Sequence, residues 1–233
     1  MPIRIEGHDV AGDAQRAHDL VAAGGVAVIH LDVGYAVLAH AADAVRRIYA
    51  AKRRSFDKPT GIVGNHWLHR ELHRLPPDRL AMIDAVTIAH DLPLAVIAPF
   101  DRAHPLLAAM DPFVLGNAVK GETLNILLNA GELRNAIADL AIASGRLFVG
   151  SSANTSLKGS RYAVPDIEPE VIALADIVVD YGRSAYSTPD GLSSTMIDFS
   201  TFQVQRAGVC FDRIAAVLST EFGIKLQRPG SPA

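Results

Sequence analysis

Lys52, Arg53 and Arg54, followed by Lys58 and Pro59, form the densest basic cluster of the chain, at the C-terminal end of a stretch with helical spacing. Two roles compete there. Cations at a helix C-terminus complement its partial negative charge and need no ligand. A phosphate is the alternative partner, because lysine supplies a point charge and arginine a two-pronged fork that fits phosphate oxygens. A second polar segment, Gly150-Ser151-Ser152-Ala153-Asn154, follows the apolar run Leu147-Phe148-Val149. Its backbone amides, hydroxyls and side-chain amide suit phosphate or ribose oxygens, or equally a cap or turn. It is not a hydrolase nucleophile elbow, since G-x-S-x-G demands glycine where Asn154 stands. A third segment, Gly191-Leu192-Ser193-Ser194-Thr195, precedes Met196-Ile197-Asp198-Phe199, and Arg206-Ala207-Gly208 closes the next strand-like run. Three hydroxyl-bearing or basic loops at strand ends matter together, because ligands of α/β folds collect at strand ends.

Two further groups have chemical side chains but a plainer reading. His66, His69 and His73 stand at i, i+3 and i+7, within about 60° of one another on a helix, which is close enough for a metal. Their neighbours Arg70, Glu71 and Arg74 read instead as a solvated face, and no protein-held metal site is expected. Cys210, between Val209 and Phe211, reads as a small buried hydrophobe. As the single cysteine it excludes an intrachain disulfide framework or a cysteine-built zinc site, and fits a reducing compartment.

The elements that must position these loops alternate in type. Val10, Ala14, Ala17, Leu20 and Val21 mark a helix from Asp9 to Ala23, stopped by Gly24-Gly25. Strand-like runs begin at Val26 and Tyr35, and helical spacing returns from Ala41 to Arg53. Further strands are expected at 60–64, 94–99, 123–129, 146–152, 176–180 and 194–199, with helices near 66–75, 78–89 and 132–144. This pattern predicts an α/β fold: a single-domain, twisted, largely buried mixed sheet with flanking helices. The 233 residues, 49% hydrophobic, suffice for one large domain, taken as 1–226 with a frayed tail over 227–233. A net charge of −3 excludes bulk polyanion binding, so any nucleic-acid contact must come from a local patch. With no secretory leader and no membrane-length apolar run, a soluble cytoplasmic protein is expected. The oligomeric state is left open.

Taken in order, these segments resemble the YrdC-like family, which includes threonylcarbamoyl-adenylate synthases and YciO-type relatives. GGVAVIH resembles its opening strand, KRRSFDKP its K-x-R segment, GSSANTSLKG its S-x-N loop, SSTMID its S-T-V-I-D strand and VQRAG its closing R-x-G. The resemblance runs from about Asp13 to Gly208. It implies a twisted sheet with a concave, positively lined face, and a nucleotidyltransferase that joins ATP, bicarbonate and threonine into threonylcarbamoyl-AMP, releasing pyrophosphate, for tRNA modification. Carried over by residue, Lys52 and Arg54 would neutralise the triphosphate and its Mg2+ would come with the nucleotide. Ser152 and Asn154 would hold nucleotide or phosphate oxygens, Ser194 and Thr195 would add hydroxyls, and Arg206 would complete the basic rim. Ser151 and Asp32 would face the acceptor.

The departures are concentrated. Leu31-Asp32-Val33-Gly34 replaces a P-T-[DE]-T tetrad and loses both threonine hydroxyls, and Asp91-Leu92-Pro93-Leu94-Ala95 replaces P-G-P-x-T. Asn129-Ala130-Gly131-Glu132 replaces V-R-x-P, so that arginine is lost unless Arg134 substitutes from the next turn. The lost residues are mostly those the resemblance assigns to the amino acid, so the acceptor is open: an amino acid or another amine. Asp32 either pairs with Lys52, Arg54, magnesium or an acceptor ammonium, or is a turn residue turned to solvent. The competing function is a catalytically silent module that lays the same concave face on tRNA or double-stranded RNA.

Overall fold

The computed structural model describes residues 2–156 and 158–230; of the tail expected over 227–233, residues 231–233 lie outside the described residues. In chain order the elements are β1 (Ile3–Glu6), α1 (Val10–Ala22), β2 (Ala27–Ile29), β3 (Ala36–Ala39), α2 (Ala42–Ala51), β4 (Gly61–Ile62), α3 (His66–Leu72) and α4 (Pro77–Asp84). A π-helical turn (Ala85–Ala89) prolongs α4, followed by β5 (Leu94–Pro99), α5 (Pro105–Ala108), α6 (Pro112–Gly116), β6 (Val119–Lys120), β7 (Thr123–Leu128) and α7 (Glu132–Ala143). The chain closes with β8 (Val149–Ser152), α8 (Pro169–Leu174), β9 (Ile177–Asp180), β10 (Met196–Asp198), β11 (Gln203–Arg206) and α9 (Phe211–Phe222).

The strands form one mixed sheet in the order β1-β9-β2-β3-β8-β4-β7-β5-β10-β11, with β6 also paired to β7. The β1–β9, β2–β9, β4–β7 and β5–β10 pairs are parallel and the others antiparallel. Side chains alternate between two faces along each strand. One face carries Val28, Val37, Ile62, Val96, Leu124, Ile126 and Ile197 into a continuous core with α2, α3, α4, α8 and α9. The other carries Ala27, Ile29, Ala36, Leu38, Ile177 and Val179 under α1 and α7, through Ala14, Ala17, Val21, Ile137, Ala138 and Ala141.

That second face is covered only in part. Along β7, Leu124, Ile126 and Leu128 are buried while Thr123, Asn125 and Leu127 are half-exposed, so the side opposite the large core lies open there. Helices α1 and α7 thus roof the first strands of the sheet and leave a hollow over β8, β4, β7, β5 and β10, where the polar loops converge. No helix among the described residues is long and apolar enough to cross a membrane.

Candidate functional site: a cationic cavity on the open sheet face

Two glycines keep the floor of the hollow bare. A Cβ on Gly61 would stand 2.9 Å from Asn125 Nδ2, and one on Gly150 2.8 Å from Leu38 Cδ2. These residues oppose each other in the β4–β8 register. The resulting cavity, about 150 Å3, is lined by apolar Leu31, Val33, Leu38, Ile62, Val63 and Leu127 and by Asn125, Ser151, Ser152, Ser160, Ser193 and Ser194. Three guanidiniums complete it: Arg54, Arg134 and Arg206. No carboxylate belongs to its lining among the described residues.

Each arginine is held by backbone carbonyls. Arg54 donates from Nε to Lys58 O (3.1 Å) and from Nη2 to Pro59 O (2.7 Å). Arg206 donates from Nε to Ser194 O (2.8 Å) and from Nη2 to Ser194 Oγ (3.0 Å). Arg134 donates to Gly64 O (2.6 Å) and to Ile62 O (3.4 Å). None of the three meets a carboxylate among the described residues. Burial lowers the pKa of Arg206, with Arg54 adding to it, and burial alone pulls Arg134 down to about 10. Arg54 thus grips the chain at Lys58–Pro59, ahead of β4, and Arg134 grips it at Ile62–Gly64, at the other end of β4, while Arg206 is held by Ser194. Carbonyl dipoles orient the planar forks without cancelling their charge, which is the arrangement an anion requires.

The end of α2 separates two basic neighbours. Arg53 N bonds Ala50 O and Arg54 N bonds Tyr49 O (3.0 and 2.9 Å), the paired closure usually completed by glycine, here with Arg53 left-handed at φ 49°. Arg54 follows into the cavity. Lys52 instead turns into the protein, 1% exposed, and Nζ donates to Ser152 O beneath the β8 loop. Its pKa is pulled down to about 7 by burial and then by Arg54, against the pull of Glu168.

The structure brings Arg54, Ser151, Ser152, Ser194 and Arg206 to one cavity and leaves Lys52, Asn154, Thr195 and Asp32 off its wall. Asn154 is buried, with Nδ2 donating to Thr155 O (2.6 Å) and Oδ1 without a partner. Thr195 is fully buried and ties two loops together: Oγ1 donates to Val209 O (2.8 Å) and accepts from Gly208 N (3.1 Å). A side chain at Gly208 has no room, since its Cβ would fall 2.0 Å from Ser193 O. The closing R-x-G thus fixes the loop that orients Arg206. Ser151 Oγ and Asn125 Oδ1 are buried without partners, and buried polar atoms in that state are the ones a ligand can satisfy.

Asp32 is the turn residue the sequence offers, in the turn closed by Gly34 N to Leu31 O, but its side chain is half-buried and, among the described residues, makes no ion pair with Lys52 or Arg54. Its amide bonds Ala130 O and its carbonyl accepts from Tyr186 N (2.9 and 2.8 Å). The half-buried carboxylate lies by Gly131, its pKa raised by burial, then by Asp91 and Glu132. Arg134 was visible in the sequence only as a substitute for a lost arginine, and Asn125 not at all. The signal for Asn125 is an amide side chain at an outward position in the middle of the otherwise aliphatic stretch Leu124–Leu128.

The histidines depart from the solvated face expected of them. His69 and His73 are buried, with Nδ1 atoms 2.7 Å apart, while His66 turns to Thr87 Oγ1 (2.9 Å). His73 Nε2 donates to Leu124 O (3.2 Å), so its Nδ1 accepts and His69 Nδ1 donates. Cys210 is half-buried and left-handed (φ 60°) at the start of α9.

The site is thus a cavity on the open sheet face of a mixed α/β domain, lined by three arginines and, among the described residues, by no carboxylate. The Sua5/YciO/YrdC family model, described as telomere recombination, matches residues 19–208, and the chain belongs to this family. It is similar to a hypothetical protein of Streptococcus mutans (TM-score 0.74, 20% identity, 98% of each chain). P. abyssi Sua5 complexed with L-threonine matches at TM-score 0.70 and 19% identity, over all of this chain and 67% of that one. Full-length HypF in its phosphate- and nucleotide-bound form matches at TM-score 0.62 and 13% identity, over 84% of this chain and 29% of that one. At these identities the likeness to solved structures carries the fold. No curated protein matches the chain.

Proposed function

We propose that the chain is a nucleotidyltransferase that converts ATP, bicarbonate and an amine into a carbamoyl-adenylate and pyrophosphate. The observation that carries this reading is the set of three guanidiniums, each fixed by backbone carbonyls, without a carboxylate partner in one cavity. Arg54, Arg206 and Ser194 form the phosphate end. The amine nitrogen adds to the carbon of bicarbonate and water leaves, giving a carbamate. A carbamate oxygen then attacks the α-phosphorus, the bond to the β-phosphate oxygen breaks, and pyrophosphate departs. Negative charge moves onto the leaving group in that step, and fixed cations that need not reorganise favour it.

Mg2+ accompanies the nucleotide; with no carboxylate lining the cavity, phosphate oxygens and water would hold it. The printed descriptions of the relatives support the substrate classes, nucleotide and phosphate for HypF and threonine for Sua5. The RNA-binding alternative needs cations on an open surface, whereas Arg134 is buried and Arg54 and Arg206 are half-buried. The unit proposed for the activity is 1–226, in the cytoplasm, supplying tRNA modification.

Calorimetry with ATP tests the phosphate end. Arg54→Ala and Arg206→Ala should each lose about 1.5 to 3 kcal/mol, roughly 10- to 150-fold in affinity. Wild-type affinity in both variants would remove the assignment. Absence of bicarbonate-dependent pyrophosphate release with every amine tried would leave a binding module.

A further inference from the structure

Glu168 stands just ahead of α8. Its carbonyl opens that helix by accepting from Val171 N and Ile172 N (2.9 and 3.1 Å), but its side chain does not cap it. The carboxylate turns instead to the segment that follows β8. Oε2 accepts from Thr155 N (3.3 Å), and Oε1 accepts from Thr155 Oγ1 (3.1 Å) and from Arg161 Nη2 (2.5 Å). One side chain thereby ties down both ends of this segment. Burial raises the Glu168 pKa, but Arg161 and then the surrounding amides and the Thr155 hydroxyl hold it down to about 2, so the carboxylate is ionised at neutral pH. Two groups depend on the segment. Ser160, next to Arg161, lines the cavity, with its amide on Gly191 O (2.7 Å). Lys52 is bonded to the same segment at both ends: its carbonyl accepts from Ser156 N (3.0 Å), and Nζ donates to Ser152 O. Of the charged groups that act on Lys52, Arg54 opposes its proton and Glu168 favours it.

Building on the proposed reading of the cavity as a phosphate site, we infer that Glu168 is a positioning residue for nucleotide binding, which holds Ser152 and Ser160 in the cavity wall and supplies Lys52 with its countercharge. Neither Glu168 nor Lys52 lines the cavity, so the effect reaches the ligand through the two serines and through Arg54. A carboxylate on the wall itself would repel a phosphate. Set behind the wall and paired with Arg161, it orients the serines, and its charge is offset by that guanidinium. An anion at Arg54 weakens what keeps Lys52 neutral. Glu168 then favours the ammonium, and a proton enters with the ligand.

Glu168→Gln keeps the shape and an acceptor for Thr155 but removes the charge, and Glu168→Ala removes both. In the ligand-free full chain, NMR of lysines labelled at Cε, with Lys52 assigned by its loss in Lys52→Met, reads the lysine directly. Its titration should fall near pH 7 in the wild type and at lower pH in Glu168→Gln. Calorimetry with ATP should show an affinity that declines as pH rises through about 7 in the wild type, and a decline that begins at lower pH in Glu168→Gln. Glu168→Ala should lose about tenfold in ATP affinity near neutral pH; Glu168→Gln carries the test alone if the alanine variant does not fold. A Lys52 titration unmoved by Glu168→Gln, with wild-type ATP affinity, overturns the inference. An unmoved titration with weaker ATP binding at every pH overturns it too, leaving Glu168 a structural latch. No ATP binding by the wild type sinks the phosphate reading; the ligand-free titration then decides alone, a shift sustaining the coupling of Glu168 to Lys52 and no shift removing it.

Discussion

Lys52→Met removes a buried ammonium and keeps the length of its stem. The unfolded lysine titrates near 10.4, while in the fold burial, then Arg54, pulls it down to about 7 against Glu168. Between those values the unfolded chain holds a proton that the folded chain does not. Stability attributable to Lys52 is therefore complete above about pH 10.5 and is lost as pH falls through about 7. The slope is about 1.4 kcal/mol per pH unit, and the full span is on the order of 4 kcal/mol. The methionine forfeits the hydrogen bond to Ser152 O, about 1 kcal/mol. Net, Lys52→Met should be more stable than the wild type by about 2 to 3 kcal/mol near pH 7 and lose that advantage by about pH 10. Urea unfolding of both proteins across that range reads the difference directly. The functional counterpart is proton uptake: phosphate neutralising Arg54 removes part of what keeps Lys52 neutral. ATP binding near pH 8 should then take up a proton in the wild type and not in Lys52→Met, as seen by calorimetry in buffers of different ionisation enthalpy. Parallel stability profiles, with no proton uptake by the wild type, would refute the reasoning.

The remaining expectations concern groups outside the cavity wall. His69 and His73 are kept neutral mainly by burial, helped by His66 and Arg70 for the first and by His69 for the second. Their lowered folded pKa values make stability fall as pH drops below about 6.5. A His69→Leu/His73→Leu double variant should flatten that acid loss in urea titrations, and an unchanged slope would show that other groups cause it. Asp32, its pKa raised by burial and then by Asp91 and Glu132, contributes stability at acid pH that is lost as pH rises through its folded value. Asp32→Asn should therefore raise Tm at neutral pH with ATP affinity unchanged; weaker ATP binding would return Asp32 to the site.

The parts of the fold legible in the sequence are those whose signal is local. Runs such as Ala36–Ala39 and Leu94–Pro99 are buried strands because aliphatic side chains meet core on the sheet, and α1 announces itself through its stripe and through Asp9, which caps Gly12 N at 3.1 Å. The helix Phe211–Phe222 has no such entry signal: its cap position is Cys210, which makes no side-chain cap bond. The short helices α5, α6 and α8 each begin at a proline, a start signal, but are too brief for a periodic stripe. In the site, Arg54, Ser194 and Arg206 were legible because loop chemistry is written in consecutive residues. Lys52 was legible as a cation, but its inward turn depends on where the β8 loop falls, which is non-local. The same holds for the His69–His73 pair, whose inner member hydrogen-bonds the carbonyl of Leu124, far along the chain.

How a chain with net charge −3 keeps a cationic cavity follows from where its carboxylates lie. Arg70 with Asp84 and Arg74 with Asp101 pair on the outside, where solvent screens them and such pairs contribute little to stability. Arg54, Arg134 and Arg206 are held by main-chain carbonyls instead, which orient a guanidinium yet leave its charge available. That choice has a backbone cost: Arg53 must adopt a left-handed conformation, and Gly208 must lack a side chain so that the Ser193-Ser194 strand can pass. Fixing a charge without a counter-charge is unfavourable in the empty cavity, and an incoming anion relieves it. For the proposed phosphate ligand, part of the binding free energy would therefore be stored in the fold before the ligand arrives.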